Sequence, residues 1–211
     1  MALTQPRLFE SATPSEPLRS NAPTFVNNMS LPIHRWFRFS AGYSAEWAVN
    51  SIGKFLAYSG QSRIVVLDPF AGSGTTLLAA SNLGCDSYGW EAQEFIFRIA
   101  DAKMRCIDTD PEAILQAAES IVERSLLCQP EMCIESEPQL LQKCYSEDVL
   151  IELRRLQKAL YDAKNEIEDS VWKLLWLALV STLRPASHVG TAQWQYVLPN
   201  KKKTKTVGPS E

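Results

Sequence analysis

The chain has 211 residues, 45% of them hydrophobic and 21% charged, with a formal net charge of −3. That suits one globular domain that buries a core, with room for an appendage, and excludes a globally basic nucleic-acid binder, so any basic surface must be local. Five cysteines (Cys85, Cys106, Cys128, Cys133, Cys144), none in a CxxC pair, speak for a reduced, cytoplasmic setting and against a zinc site.

Residues 1–30 are rich in Pro, Ser, Thr and Asn without a sustained period, which predicts an N-terminal arm, and they lack the charged-then-apolar order of a signal peptide. From Ser44, a good N-cap, the pattern turns helical, with Trp47, Ala48, Ile52, Phe55 and Leu56 on one side. Ile64–Leu67 is a short β-branched run expected as a central strand buried on both faces. Thr75–Leu83 reads as a helix ended by Gly84, Asp86–Glu91 as a second strand, and Glu94–Arg105 as a further helix. Strand, glycine turn, helix, strand is half of a doubly wound α/β sheet.

Beyond Arg105 the character changes. TDPEAILQAAESIVERSLL opens with a capping arrangement (Thr109, Glu112, and Pro111 early in the helix) and keeps a helical period. Residues 128–145 read as loop. From Ser146 the apolar positions Val149, Leu153, Leu156, Leu160, Ala163, Ile167, Val171 and Leu174 predict one long helix, or two broken near Asp169-Ser170, ending before Pro185. The stripe serves either packing within the domain or a coiled-coil seam. VWKLLWLALVSTL, interrupted by Lys173, is too short to span a bilayer and reads as a buried helix. The organisation expected is an arm over 1–30, a cofactor-binding α/β region over 31–107, a helical region over 108–184 and a basic tail over 185–211.

The chemistry concentrates in IVVLDPFAGSGTTLLAA, residues 64–80. A turn from a first parallel strand into a helix is the usual ligand crevice of an open α/β sheet. Gly72 and Gly74 admit backbone angles and a close approach denied to other residues, and the following helix offers unpaired N–H groups to an anion. There is no Lys-Ser/Thr pair for a Walker loop and no full GxGxxG. Asp68 closes the strand, where its carboxylate suits a cationic amine. Glu91 ends the second strand at a spacing suited to ribose hydroxyls. An amine, a carboxylate and an adenosine together describe S-adenosyl-L-methionine, whereas Asp68 would repel a pyrophosphate. A purely structural turn is the alternative for the glycines taken alone.

DPFAGSGTT closely resembles the DPFxGSGTT cofactor motif of DNA amino-methyltransferases, which methylate adenine N6 or cytosine N4, and YGWEAQ resembles their second motif. The resemblance implies a Rossmann-like S-adenosylmethionine-dependent methyltransferase fold, its sheet incomplete here, with an additional helical region. It implies that Asp68, Pro69, Phe70, Ala71, Gly72 and Gly74 line the methionine end, that Thr75 and Thr76 hold the carboxylate, that Glu91 takes the ribose, and that Ala92 and Gln93 lie near the adenine. Thr75 reads equally as a helix cap. HRWFRFSAGYSAEWA more loosely resembles the segment that closes over the methionine, with Tyr43 and Ser44 as candidate contacts; Trp36, Phe37, Phe39 and Tyr43 read equally as core aromatics.

The family's second signature, [DNS]PP[YFW], holds the target amine and stacks on a flipped base. It is missing, since the chain contains no Pro-Pro pair. No catalytic residue is therefore assigned. The expectation is an N-terminal portion of a larger enzyme, or one subunit of a split one, of restriction-modification type, whose complete form meets double-stranded DNA, without metal or membrane. An RNA guanine-N2 methyltransferase portion and a non-catalytic cofactor-binding or scaffolding subunit remain as alternatives. From Arg184 through Ser210 there are five basic residues and no acid. Trp194, Lys201, Lys202, Lys203 and Lys205 are accordingly the nucleic-acid candidates, against the plain reading of a solvated run.

Overall fold

Two short strands pair in parallel: β1 (Val65–Asp68) and β2 (Asp86–Gly89), in the register Val65↔Asp86 through Asp68↔Gly89. Parallel neighbours need a crossover, and α2 (Thr75–Asn82) supplies it. Gly84 (φ +68) then lets the chain leave the helix in the left-handed region, with its N–H returned to Ser81 O. Helix α3 (Glu94–Arg105) follows β2 at the bounds expected from its period. The computed structural model describes residues 25–128 and 137–189, and these divide between two compact units, Met1–Met104 and Arg105–Glu211.

In the first unit the expectation of a strand buried on both faces is overturned. Val65 is 64% exposed and Leu67 58%, and their register partners Asp86 and Tyr88 face solvent beside them. The physical reason is one-sided cover. Helix α2 packs on both strands, Leu77 lying against Gly89, while Val65, Leu67 and Tyr88 remain largely open to solvent. The first helix, α1 (Ala45–Ser59), is also less covered than its apolar side suggests. It buries Ala45 and Ala48 while Trp47 and Phe55 stay exposed, because its packing is against α2 through small residues. The expected arm stops short of residue 30. Phe25–Ser30 forms a 3-10 turn in which Asn28 is fully buried, because both ends of its amide find backbone partners.

The second unit is helical: α4 (Pro111–Leu127), α5 (Gln139–Cys144), α6 (Glu147–Asp162) and α7 (Asp169–Ala186). The cap of α4 is Asp110, whose carboxylate accepts from Glu112 N, and not Thr109, whose hydroxyl instead donates to Arg105 O. A hydroxyl that can bond back one turn has less call to cap forward. Helix α5 lies inside what reads as loop; it has six residues and buries none, too short to print a period. The long stripe breaks at the 3-10 turn Ala163–Asn165, a few residues earlier than expected, and packs α6 and α7 on each other and on α4 within the unit. Trp172 is buried there, its indole N–H donated to Leu160 O at 2.9 Å and its ring edge-on to Tyr161. Helix α7 does not end before Pro185 but runs through it to Ala186. So close to the end a missing N–H costs a single bond, and Ser187 N still reaches Leu183 O. Among the described residues no helix is long and apolar enough to cross a membrane, and no group of three or more His, Cys, Asp or Glu could hold a metal ion.

Candidate functional site

The turn after β1 is built from local rules. Asp68 Oδ1 accepts from Phe70 N at 3.0 Å, an Asx-type turn that Pro69 favours by fixing its own φ. Parallel pairing carries past the strand ends through Trp90 N to Asp68 O and Ala71 N to Trp90 O. Gly72 (φ +51) and Gly74 (φ +86) take the left-handed angles, and Gly74 is the N-cap of α2. Thr75 is therefore the first residue inside the helix and not its cap, and its side chain is buried.

The two glycines serve different neighbours. A Cβ on Gly72 would lie 2.9 Å from the edge of the Phe39 ring, whereas one on Gly74 would press on Ala100 of α3 at 3.3 Å. Gly74 thus also serves the packing of the turn on helix α3. Gly89, not singled out from the sequence, is as constrained: a Cβ there would meet Ala71 at 2.9 Å and Leu77 at 3.0 Å. A glycine inside a strand is a recognised sign of close backbone approach, so that signal was present.

Both acids are engaged with the chain itself. Glu91 Oε2 accepts from Gly72 N at 3.0 Å and Oε1 from Gln93 N at 2.8 Å, tying the turn to the segment that leads into α3. Asp68 Oδ2 accepts from the Thr76 hydroxyl, which also pairs with the Tyr43 hydroxyl. Burial pushes the Tyr43 phenol above its ordinary pKa; the Thr76 bond works against that shift and the Asp68 charge adds to it. Ser44 is buried with its Oγ accepting from Trp47 N, so its hydroxyl serves as the cap of α1. Ser73, between the glycines, is buried with its hydroxyl unpaired. Phe70 is 84% exposed, and Pro69, Ala92 and Gln93 are exposed beside it. Among the aromatics of the preceding segment, Phe37 stacks edge-on to Phe95 and Tyr43 edge-on to Trp47.

The structure thus gathers Tyr43, Asp68, Gly72, Thr76 and Glu91 around one turn, with Phe39, one of the four aromatics weighed from the sequence, against Gly72, and with Asn28 as an addition that the sequence did not single out. Nothing in the Asn-Asn-Met tract distinguishes Asn28 locally. Close by, His34 and Lys103 are buried, with His34 Nδ1 and Lys103 Nζ unpaired. Burial, then the Lys103 charge, lowers His34 to about 4, and burial lowers Lys103 to about 8. Trp194, Lys201, Lys202, Lys203 and Lys205 lie outside the described residues.

Residues 24–102, which contain every member of this site, match the family model described as DNA methylase. With the motif and its relatives, this places the segment in the DNA amino-methyltransferase family. Among the curated relatives, the Type II methyltransferase M.BsoBI of Geobacillus stearothermophilus is 37% identical over 84 residues, which cover 35% of this chain and 16% of that protein. The Type II methyltransferase M.AvaI, from Nostoc sp. and from Anabaena variabilis, is 37% identical over 76 residues, covering 36% of this chain and 15% of each relative. The match therefore spans about a sixth of the length of these proteins. No solved structure matches the chain.

Proposed function

We propose that the first unit is the S-adenosyl-L-methionine-binding part of a DNA amino-methyltransferase acting on cytosine N4 or adenine N6, in a Rossmann-like fold. The observation that carries this reading is the turn itself: two left-handed glycines between Asp68 and Glu91, opening α2, in a segment of this family. The residues present fit the cofactor. The unpaired Ser73 hydroxyl and the N-terminal N–H groups of α2, with Thr75 and Thr76, suit its carboxylate. Asp68 suits its ammonium group. Glu91 has spent one lone pair of each oxygen on backbone N–H groups and keeps others for ribose hydroxyls. When bound, the cofactor supplies an electrophilic methyl group on a sulfonium.

This chain's residues bind and orient; they do not include the [DNS]PP[YFW] clamp for the target base. We read the complete enzyme as acting on double-stranded DNA with the base flipped, in a cytoplasmic restriction-modification setting, with the clamp supplied by a further segment or subunit. The exposed apolar face of β1 and β2 (Val65, Leu67, Tyr88) supports such a partner, since parallel sheets are normally covered on both sides.

Titration calorimetry of the chain with S-adenosylmethionine and S-adenosylhomocysteine tests the reading. Binding of NAD or ATP with no response to either would sink it. Glu91→Gln is expected to weaken cofactor binding by roughly 1.5–3 kcal/mol and also to lower the melting temperature, because the same carboxylate holds Gly72 N and Gln93 N. With radiolabelled cofactor and mixed duplex DNA, the chain alone should give background incorporation, because in-line transfer needs the target nitrogen held within roughly 3–3.5 Å of the methyl carbon.

A further inference from the structure

We propose that Asn28 is a positioning residue of the cofactor site, acting as the latch of a cover formed by residues 37–44; this rests on the cofactor reading above. The cover reaches the glycine turn at two points. The Phe39 ring lies against Gly72, and the Tyr43 hydroxyl meets Thr76, which in turn donates to Asp68. Neither contact fixes the backbone that carries these side chains. Asn28 does. Its Nδ2 donates to Tyr43 O at 2.9 Å, and its Oδ1 accepts from Ala45 N at 2.8 Å.

One amide therefore brackets Ser44 from both sides and supplies a partner to the first N–H of α1, which no intrahelical carbonyl can serve. The side chain is 0% exposed, so both bonds form away from competing water. Neither of these bonds is to a residue of the turn. Its influence runs through the position of Tyr43, and from there through Thr76 to Asp68. Ile33 adds a reason for the segment to need a latch. It takes φ +57, ψ −53 in a γ-type turn with His34 N donated to Pro32 O, a conformation costly for a β-branched residue. The chain thus enters the cover from a strained turn and is held at the other end by Asn28. The assignment makes cofactor affinity depend on a residue whose two bonds lie outside the turn.

The test is a double-mutant cycle in the full chain, reading S-adenosylmethionine affinity by calorimetry and stability by melting temperature. Asn28→Ala is expected to weaken binding roughly tenfold or more, as loss of two buried hydrogen bonds that hold the cover would. In a Tyr43→Phe background the same substitution should change affinity by less than about threefold, because the path from Asn28 to the turn is already cut. Melting temperatures should fall additively in the same series, a readout that a merely structural role would not separate from affinity. Should Asn28→Ala fail to fold, Asn28→Asp takes its place. A protonated carboxyl offers the same donor and acceptor as the amide, so its affinity relative to wild type should recover between pH 8 and pH 5. Wild-type affinity for both Asn28 variants, losses that add to that of Tyr43→Phe, or no recovery on acidification of Asn28→Asp would each overturn the latch while leaving the cofactor reading intact. Absence of binding by the wild-type chain would overturn the cofactor reading, and the latch with it.

Discussion

The two units solve the same problem of burying apolar surface with unequal success. In the helical unit α6 and α7 place Leu150, Leu153, Leu156, Leu160, Trp172 and Leu177 in its core. In the first unit the strands leave Val65, Leu67 and Tyr88 exposed, and α1 leaves Phe55. A helix closes its own backbone hydrogen bonds and needs cover along one stripe, whereas a parallel strand needs neighbours at both edges and cover on both faces. The unit that carries the candidate chemistry is the one less complete by itself. Polar side chains there hold backbone in shape: Asp68 on Phe70 N and Glu91 on Gly72 N and Gln93 N at the turn, and Asn28 on Tyr43 O and Ala45 N in the segment that leads into α1.

Three substitutions sharpen this contrast. The largest effect is expected in the helical unit, where Trp172→Ala removes a buried ring, its bond to Leu160 O and the seat of Lys164 above it. A loss of about 3–5 kcal/mol by denaturant titration is expected, and a loss below about 1 kcal/mol would mean that α6 and α7 do not form the core described.

The second effect is pH-dependent and belongs to the first unit. His34 has a folded pKa lowered to about 4 from 6.5, so between these values the unfolded chain binds the proton and the folded one does not. Stability contributed by the neutral imidazole is complete above about pH 6.5 and is lost as the pH falls through 4, by up to about 3 kcal/mol. His34→Gln should flatten that part of the stability profile relative to wild type. Parallel profiles for the two proteins would show that His34 is not held neutral by burial.

The smallest effect is expected on the open sheet face. Leu67→Thr keeps a β-former on a strand whose side chain already meets water, so stability should change by less than about 0.5 kcal/mol in the chain alone. A cost above about 1 kcal/mol would mean that this face is covered in solution.

Every helix but α5, the strand–turn–helix order and the family of the first unit were legible in the sequence, because each rests on local or contiguous information; α5, six residues long, prints no period. Period, the Gly84 terminator and the Asp-Pro-Phe turn are decided within a few residues, and DPFAGSGTT is a single uninterrupted match. Tertiary structure alone decided what those residues hold. Asn28 reaches across 15 and 17 positions to Tyr43 and Ala45, Tyr43 across 33 to Thr76, and Glu91 across 19 to Gly72. A glycine's identity cannot tell whether the space it leaves is for Ala100, as at Gly74, or for the Phe39 ring, as at Gly72. Nor can a β-branched run tell how many of its faces find cover. Composition and spacing fix what a segment prefers to be, but a buried amide, a carboxylate or a missing Cβ acquires its role from the atoms that folding brings beside it.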